Sequence, residues 1–241
     1  MEKREQLYEG KAKKVYATDD PEQLIVSYKD DATAFNGKKR GTIAGKGIIN
    51  NAMSNRLMKR LEKAGVPTHF IRQLSERDTL VKKVRIVPLE VIVRNVSAGS
   101  FCKRYGFPEG VVFVEPTVEY SYKNDELNDP LICDDHALAM GLVSKEELQT
   151  IRDYALRVNE VLKAFWLSCG VTLVDFKLEF GRLADGTIIL ADEISPDTSR
   201  LHDKATGRKL DKDRFRQDLG GVEEAYAEIM GRLEANDDEH A

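Results

Sequence analysis

The chain has 241 residues, 41% hydrophobic and 32% charged, which is typical of a globular protein with a proper core. Its formal net charge of -4 argues against a nucleic-acid binder, and no apolar run approaches the roughly 20 residues that cross a bilayer. The N-terminus lacks the apolar segment of a signal peptide, and three widely spaced cysteines form no CxxC pair. We therefore expect a cytoplasmic protein without a disulfide framework or a zinc site.

The first third of the chain alternates short strands and turns. Three strand-like runs separated by turn residues predict an antiparallel meander, and they cover 5–8, 13–17 and 24–28. Residues 31–47 are rich in glycine, alanine and basic side chains, which predicts a mobile loop. From 47 to 64 apolar residues recur every four positions, and Gly65 and Pro67 follow, which predicts an amphipathic helix.

The middle of the chain continues with β structure before its clearest helix. The further strand-like runs cover 68–74, 79–87, 89–96 and 111–122. Ser144 and Glu147 form a capping-box pattern, and the apolar spacing that follows predicts a helix up to Cys169, ended by Gly170. A last helix is predicted near 221–234, before an acidic tail.

The most informative segment predicts a β-hairpin with its charges on one face. Its strands are 173–181 and 188–193, joined through Asp185-Gly186, which is a strong signal for a two-residue turn. Strand alternation places apolar side chains on one face of the first strand. The opposite face carries Asp175, Lys177 and Glu179.

With that turn, Glu179 lies directly opposite Asp192. Two carboxylates with Cβ atoms roughly 5 Å apart repel each other, and a bound cation would offset that repulsion. Lys177 on the same face adds a ready contact for a phosphate. The alternative is a solvated hairpin face with an ordinary polar pattern.

A glycine with two nearby lysines suggests a second phosphate contact near the N-terminus. Gly10 permits close backbone approach, and Lys11 and Lys13 would supply point charges for a polyphosphate. The pattern is not a Walker A motif, and no GxGxxG is present. A solvated strand is the alternative interpretation.

The run 86–100 passes from a hydrophobic strand into a loop of small residues. Arg94 and Ser100 could hold a phosphate there, through a guanidinium fork and through a hydroxyl. The alternative is that Arg94 pairs with a local carboxylate such as Glu90.

These stretches make the sequence similar to the SAICAR synthetase family of purine biosynthesis. Both signature stretches of that family are present, 86–100 and 173–181. Shorter matches follow in the same order along nearly the whole chain, at 8–13, 123–126, 192–197, 199–200 and 211–217. The resemblance implies an ATP-dependent carbon-nitrogen ligase that joins L-aspartate to the carboxylate of carboxyaminoimidazole ribonucleotide (CAIR). Its products would be SAICAR, ADP and phosphate.

The resemblance also implies an architecture. The fold would be α+β, with antiparallel sheets flanked by helices and an ATP cleft between two domains. We place a small β-rich domain at 1–85 and a larger α+β domain, with the metal and ribonucleotide sites, at 86–241. Homo-oligomers are usual in the family, so we expect a homodimer or other homo-oligomer that binds small molecules and neither nucleic acid nor membrane.

The resemblance further implies roles for particular residues. The residues that would bind ATP and its phosphates are Lys11, Lys13, Lys82, Lys123, Glu179 and Asp192, with adenine cradled by 82–88. Mg²⁺ would be held by Glu179 and Asp192. The phosphate of CAIR would be held by Arg94, Ser100 and Arg200. The catalytic residues around the reacting carboxylate would be Asp175, Lys177 and Asp197.

Two other functions use similar residues. A kinase-like phosphotransferase would also need paired lysines and a carboxylate-held cation, although no HRD or DFG pattern is present. A non-catalytic nucleotide-binding sensor is the other alternative. Release of ADP that depends on aspartate separates the three. The four histidines lie outside the matched motifs, and we expect structural or surface positions for them.

Overall fold

The structure, a computed structural model, describes residues 2–34 and 37–237. Its strands are β1 (Gln6–Glu9), β2 (Lys13–Ala17), β3 (Gln23–Tyr28), β4 (Asp31–Ala34), β5 (Lys39–Thr42), β6 (Phe70–Gln73), β7 (Asp78–Lys82), β8 (Arg85–Val96), β9 (Val112–Tyr122), β10 (Leu131–Ile132), β11 (Val171–Arg182), β12 (Ile188–Ala191) and β13 (Ser199–Asp203). Its helices are α1 (Lys46–Lys63), α2 (Ser100–Tyr105), α3 (Asp134–Ala139), α4 (Lys145–Ser168), α5 (Asp213–Arg216) and α6 (Val222–Asp237). None of these helices combines the length and the apolarity that a membrane span requires.

The strands form two large antiparallel sheets and one small one. The five-stranded sheet has the order β1-β2-β3-β7-β6, so the predicted N-terminal meander is confirmed. The second sheet has the order β10-β9-β8-β11-β12, and β13 pairs with β11 beyond the point where β12 ends. The α+β class with antiparallel sheets and flanking helices is therefore confirmed.

The predicted loop over 31–47 contains ordered structure. β4 and β5 pair as a two-stranded antiparallel sheet, and Ala32 and Ala34 are buried beneath it. The small side chains alternate with polar ones, so the pattern is that of a strand whose buried face carries methyl groups. Phe35 and Asn36 lie outside the described residues, as does the end of the acidic tail at 238–241.

The hydrophobic core lies between the six-stranded sheet and its helices. The apolar face of β11 packs with β8 and with the predicted helix α4, beside which α1 and α6 are packed. Ser144 and Glu147 form the expected reciprocal capping box at the start of α4. Phe176, Leu178 and Phe180 all lie in this core, which confirms the predicted alternation along β11.

The predicted register of the β11–β12 hairpin is wrong by one residue. Glu179 pairs with Ala191 and not with Asp192. The strands close through Leu183 and Thr187, so the loop has three residues and ends on Gly186 at φ 87. A three-residue hairpin loop with a left-handed glycine is a common alternative to the two-residue turn, and it shifts every pair.

Asp30 fixes the start of α1. Its carboxylate accepts hydrogen bonds from the backbone N–H of Gly47 (2.8 Å) and Gly45 (3.2 Å), which are among the amides that a helix start leaves unpaired. Arg77 donates hydrogen bonds from Nη1 to Asp30 Oδ1 (2.7 Å) and from Nη2 to Asp30 Oδ2 (2.9 Å). The hydrogen bonds from Arg77 and from the two amides lower the pKa of Asp30 to about 2.

We predict that Asp30→Asn lowers the free energy of unfolding at pH 7 by about 1–2 kcal/mol, because an uncharged cap loses the charge-assisted fork. The lowered pKa of Asp30 stabilises the folded protein at pH values above the unfolded pKa of 3.8. This stability is lost as the pH falls toward about 2. Urea unfolding of both proteins at pH 7 and pH 3 measures this. A difference that is as large at pH 3 as at pH 7 would contradict the charged cap.

Candidate active site

A cleft of about 1600 Å³ lies between the two large sheets and is lined by residues of both. All the predicted site residues line it except Ser100, which touches one of the lining arginines. Apolar side chains of Val15, Leu24, Val81 and Ile86 form part of its wall. That wall can accept the flat face of a heteroaromatic ring.

Lys177 is the centre of a group of carboxylates in the cleft. Its Nζ atom lies 2.6 Å from Glu179 Oε1, 3.4 Å from Glu90 Oε1 and 3.5 Å from Asp192 Oδ2. Burial lowers the pKa of Lys177, but the surrounding carboxylates outweigh it and raise the pKa above its usual range. The lysine is therefore a fixed positive charge.

Two other predicted lysines complete this group. Lys123 Nζ lies 3.0 Å from Glu179 Oε1, and Lys13 Nζ contacts Asp192 and lies 3.0 Å from Glu193 Oε1. Burial raises the pKa of Asp192, but Lys13 and Lys177 hold it well below the usual range. Lys11 stands further out and pairs with the exposed Asp125 at 2.9 Å.

The two predicted metal ligands meet at one lysine in spite of the register error. Glu179 and Asp192 both contact Lys177 Nζ, because Asp192 has a left-handed backbone at φ 57 and leaves the β ladder. Within the described ranges no three acidic, histidine or cysteine side chains form a ready metal cage. Mg²⁺ usually takes one or two carboxylates together with substrate phosphates, so this pair fits that ion.

A second group of charges is built around Asp175. Arg94 donates to Asp175 and to Ser100 Oγ (3.0 Å), and its Nε lies 2.7 Å from Glu119 Oε1. Arg200 Nη1 lies 2.9 Å from Asp175 Oδ2. The three predicted phosphate ligands are thus together, and the expected alternative partner Glu90 belongs to the lysine group.

Gly99 makes room for Arg200. It has φ 56, and a Cβ atom placed on it would lie 2.5 Å from Arg200 Nη2. Arg200 also pairs with Asp213 (Nε to Oδ2, 2.7 Å), so it is held from two sides. Burial lowers the pKa of Arg200, but Asp175 and Asp213 outweigh it and keep the guanidinium charged.

Asp197 is held by side chains that sequence reasoning missed. Its Oδ2 lies 2.9 Å from Lys46 Nζ and 3.4 Å from Lys212 Nζ, while Tyr226 donates its hydroxyl to Oδ1 at 2.5 Å. Burial raises the pKa of Asp197, but the two lysines hold it well below the usual range. Lys212 lies in the matched run 211–217, whereas Lys46 and Tyr226 resemble ordinary helix residues and carry no signal.

His69 was also missed, because it lies in no matched motif. Its side chain is 8% exposed and forms part of the cleft wall. Burial, together with Lys13, lowers the pKa of His69 to about 4, so the imidazole is neutral at pH 7.

Two groups of cations within one cleft suit the binding of two anionic groups, such as phosphates. The family model described as SAICAR synthetase matches residues 6–233. The chain belongs to the SAICAR synthetase family, an ATP-dependent ligase family of purine biosynthesis. The predicted resemblance is therefore confirmed, and the kinase and sensor alternatives lose their support.

Individual relatives agree with the family model over almost the full length. The chain is 64% identical over 233 residues to a phosphoribosylaminoimidazole-succinocarboxamide synthase from Lachnoclostridium phytofermentans, covering 97% of this chain and 99% of that protein. It resembles the crystal structure of such a synthase from Ehrlichia chaffeensis with a TM-score of 0.94 and 47% identity, covering 96% and 99%. A SAICAR synthetase in complex with ADP has a TM-score of 0.91 and 51% identity, covering 94% and 96%.

We predict that Gly99→Ala destabilises the protein more than Gly106→Ala. Gly106 is left-handed, at φ 62, and has open space around it, so alanine there costs only the strain of about 1–2 kcal/mol. Gly99, at φ 56 and ψ -125, lies outside the left-handed helical region, so alanine is more strained there, and it would also displace Arg200 from two carboxylates. Urea unfolding of both variants measures the difference, and equal losses would contradict the prediction.

Proposed function

We propose that this cleft ligates L-aspartate to CAIR, with ATP converted to ADP and phosphate. The observation that carries the proposal is the charged face of β11. Asp175 lies in the arginine group, Glu179 lies in the lysine group, and Lys177 stands between them. Four residues of strand span about 13 Å. Over that length a ribonucleotide bound in the arginine group and a nucleotide phosphate bound in the lysine group would meet near Lys177.

ATP would lie with its adenine on the apolar wall near 82–88. Its phosphates would bind Lys11, Lys13 and Lys123, which pair with carboxylates in the free protein. Glu179 and Asp192 would hold Mg²⁺, which when bound offsets the charge of the phosphates. Lys82 also lines the cleft, and its Nζ donates to the backbone carbonyl of Thr68 at 3.0 Å, so it stiffens the adenine wall.

The carboxylate of CAIR would first be phosphorylated, and the amine of aspartate would then attack the acyl phosphate. A free carboxylate is a poor electrophile, whereas a phosphate held by cations is a stabilised leaving group. Lys177 neutralises charge on the transferred phosphoryl group, and Asp175 orients CAIR. Asp197 has both oxygens occupied, so we assign it the positioning of Lys212 at the cleft wall and not the acceptance of a proton.

We predict that Arg94→Lys raises KM for CAIR far more than KM for ATP. Arg94 and Arg200 would hold the ribonucleotide phosphate, and a lysine keeps the charge but loses the fork. Steady-state kinetics with each substrate varied in turn give both constants. Similar increases in both KM values would show that Arg94 is not specific for the phosphate of CAIR.

The acyl-phosphate route is tested with CAIR that carries ¹⁸O in its carboxylate. One labelled oxygen should move into the released inorganic phosphate, because the carboxylate oxygen that attacks ATP leaves with the phosphoryl group. Mass spectrometry of the phosphate detects it, and reactions that lack aspartate, ATP or CAIR serve as controls. Unlabelled phosphate from a competent turnover would exclude this route.

The resemblance implies a homodimer or other homo-oligomer, and of these we propose a homodimer. β10 pairs with β9 only at Tyr120 and Ser121, so over 112–119 the outer edge of β9 has no strand partner among the described residues. Val112 and Val114 on this segment are 72% and 100% exposed. A strand edge without a partner can pair with a strand of another chain. Two copies of the same edge pair with each other in antiparallel, and this arrangement has the twofold symmetry of a homodimer. Pro116 cannot donate, so pairing would be confined to the residues before it.

We predict that Val114→Lys shifts the protein toward monomer in light scattering after gel filtration, because a charge on the shared edge repels its copy. Leu167→Lys is the matched control, since Leu167 is an apolar residue 52% exposed on α4. The same mass for wild type and Val114→Lys would rule out this edge. The domain boundary near residue 85 and the cytoplasmic location stay predictions.

A further inference from the structure

Asp211 is a buried carboxyl group that joins two segments of backbone beside the arginine group. Its side chain is fully buried, at 0% exposure. Asp211 Oδ2 accepts the backbone N–H of Leu201 on β13 at 2.8 Å, and Oδ1 accepts the backbone N–H of Asp213 at the start of α5 at 2.7 Å. One side chain therefore connects β13 to α5.

This connection completes the outer edge of β13. Leu201 O accepts the backbone N–H of Leu210 at 2.8 Å, so a short piece of chain lies along that edge. The N–H of Leu201 finds its partner on the same piece of chain, in Asp211 Oδ2. A buried N–H without an acceptor costs free energy, so the edge depends on the side chain of Asp211.

The two amides that Asp211 accepts belong to the backbone that carries an ion pair of the cleft. Arg200 immediately precedes Leu201, and its Nε donates to Asp213 Oδ2 at 2.7 Å. The carboxyl group of Asp211 thus lies between the backbone of the arginine and the backbone of its partner. It sets how far apart the two members of the ion pair stand.

The start of α5 has few other restraints. The helix has only four residues, too few to be stable by itself. A backbone bond from Lys212 N–H to Pro196 O, at 3.0 Å, ties it to the loop before β13. The bond from Asp213 N–H to Asp211 ties it to the chain that runs along β13. Asp213 is therefore placed by the residue two positions before it.

Asp211 is a costly residue for this position. Among the described residues no lysine or arginine lies within salt-bridge distance of it, and His202 Nε2 is 3.9 Å from Oδ2. Burial and the neighbouring Asp213 raise the pKa of Asp211 to about 7. A carboxylate can accept two N–H groups at once, one on each oxygen, which no neutral side chain of the same size does. The geometry therefore indicates a need for both hydrogen bonds.

We propose that Asp211 is a positioning residue that fixes Arg200 against Asp213 and so orients its guanidinium for the ribonucleotide phosphate. A guanidinium fork matches a phosphate only in certain orientations, because its donors have a fixed geometry. Asp175 restrains Nη1 of the same guanidinium at 2.9 Å, and Asp213 is the second restraint. The proposal rests on the proposed binding of the CAIR phosphate by Arg200.

The test is the steady-state kinetics of Asp211→Asn at pH 8.5, where Asp211 of the wild type is ionised. Asparagine keeps the shape, but its NH2 group would face one of the two amides, donor against donor. A shift of a positioned group by about 1 Å can cost about 100-fold, and Asp175 still restrains Arg200, so KM for CAIR should rise about tenfold. The values of kcat and of KM for ATP should stay those of the wild type.

Asp211→Ser separates the connection from the local turn. A serine hydroxyl can accept the N–H of Asp213 two residues on, as the aspartate does, but it has no second oxygen for Leu201. The variant should therefore also raise KM for CAIR and leave KM for ATP unchanged. It replaces Asp211→Asn if that variant does not fold.

Asp203→Asn is the matched control. Asp203 lies on the same strand, accepts the backbone N–H of Thr206 at 2.7 Å and does not line the cleft. Its substitution removes a carboxylate from the other end of the same loop. KM for CAIR should stay at the wild-type value in Asp203→Asn, and a tenfold rise there would show that any loosening of this loop has the effect.

A double-variant cycle with Arg200→Lys tests whether Asp211 acts through Arg200. If it does, Asp211→Asn should raise KM for CAIR much less in the Arg200→Lys protein than in the wild type, because the fork is already lost. Effects that multiply fully would overturn the proposal. Wild-type KM for CAIR in a folded Asp211→Asn or Asp211→Ser would also overturn it, as would an equal rise in KM for ATP.

Arg200→Lys by itself distinguishes failure of this proposal from failure of the proposed phosphate site. If Arg200→Lys leaves KM for CAIR unchanged, the assignment of Arg200 to the phosphate is wrong. If Arg200→Lys raises that KM while both Asp211 variants preserve it, only the role of Asp211 is wrong.

Discussion

The charged face of one buried strand determines the rest of the cleft. Asp175 and Glu179 on β11 are only 3% and 5% exposed, and an unpaired carboxylate at such depth would cost several kcal/mol. Two arginines therefore surround the first, and two lysines approach the second. On the proposed function, the cations that stabilise the free protein are the groups that would bind the substrate phosphates. The charges would then be in place before the substrates bind, and binding would exchange their partners without gathering charges from solvent.

Local patterns were readable from the sequence, and the reason is physical. Alternation along β11 and the capping box of α4 depend on residues a few positions apart, so the chain itself encodes them. The hairpin register failed because one extra residue in the turn reverses which side chains share a face. Glu179 and Asp192 still meet at Lys177, but through a left-handed residue that no periodicity predicts. The two carboxylates therefore come together, but not through the hairpin register that was expected.

Contacts between distant helices were not readable in the same way. Lys46 and Asp197 are 151 positions apart, and Tyr226 reaches Asp197 from the last helix. Each looks ordinary in its own segment: a lysine at a helix start, a tyrosine on an apolar helix face. Only the packing of α1 and α6 against the sheet places them around one carboxylate. The resemblance to a family identified the cleft residues that lie in its motifs. It gave no information on Lys46 and Tyr226, which hold one of those residues in place.

Charge balance also supports the proposal that two carboxylates would hold a metal ion. In the free protein Lys13, Lys123 and Lys177 offset Glu179 and Asp192, together with their acidic neighbours. If nucleotide phosphates took these lysines, the carboxylates would lose their partners while more negative charge entered the cleft. A divalent cation held by Glu179 and Asp192 would offset that charge. On the proposed function the site would then need no third protein ligand, and its affinity for the cation should depend on the nucleotide.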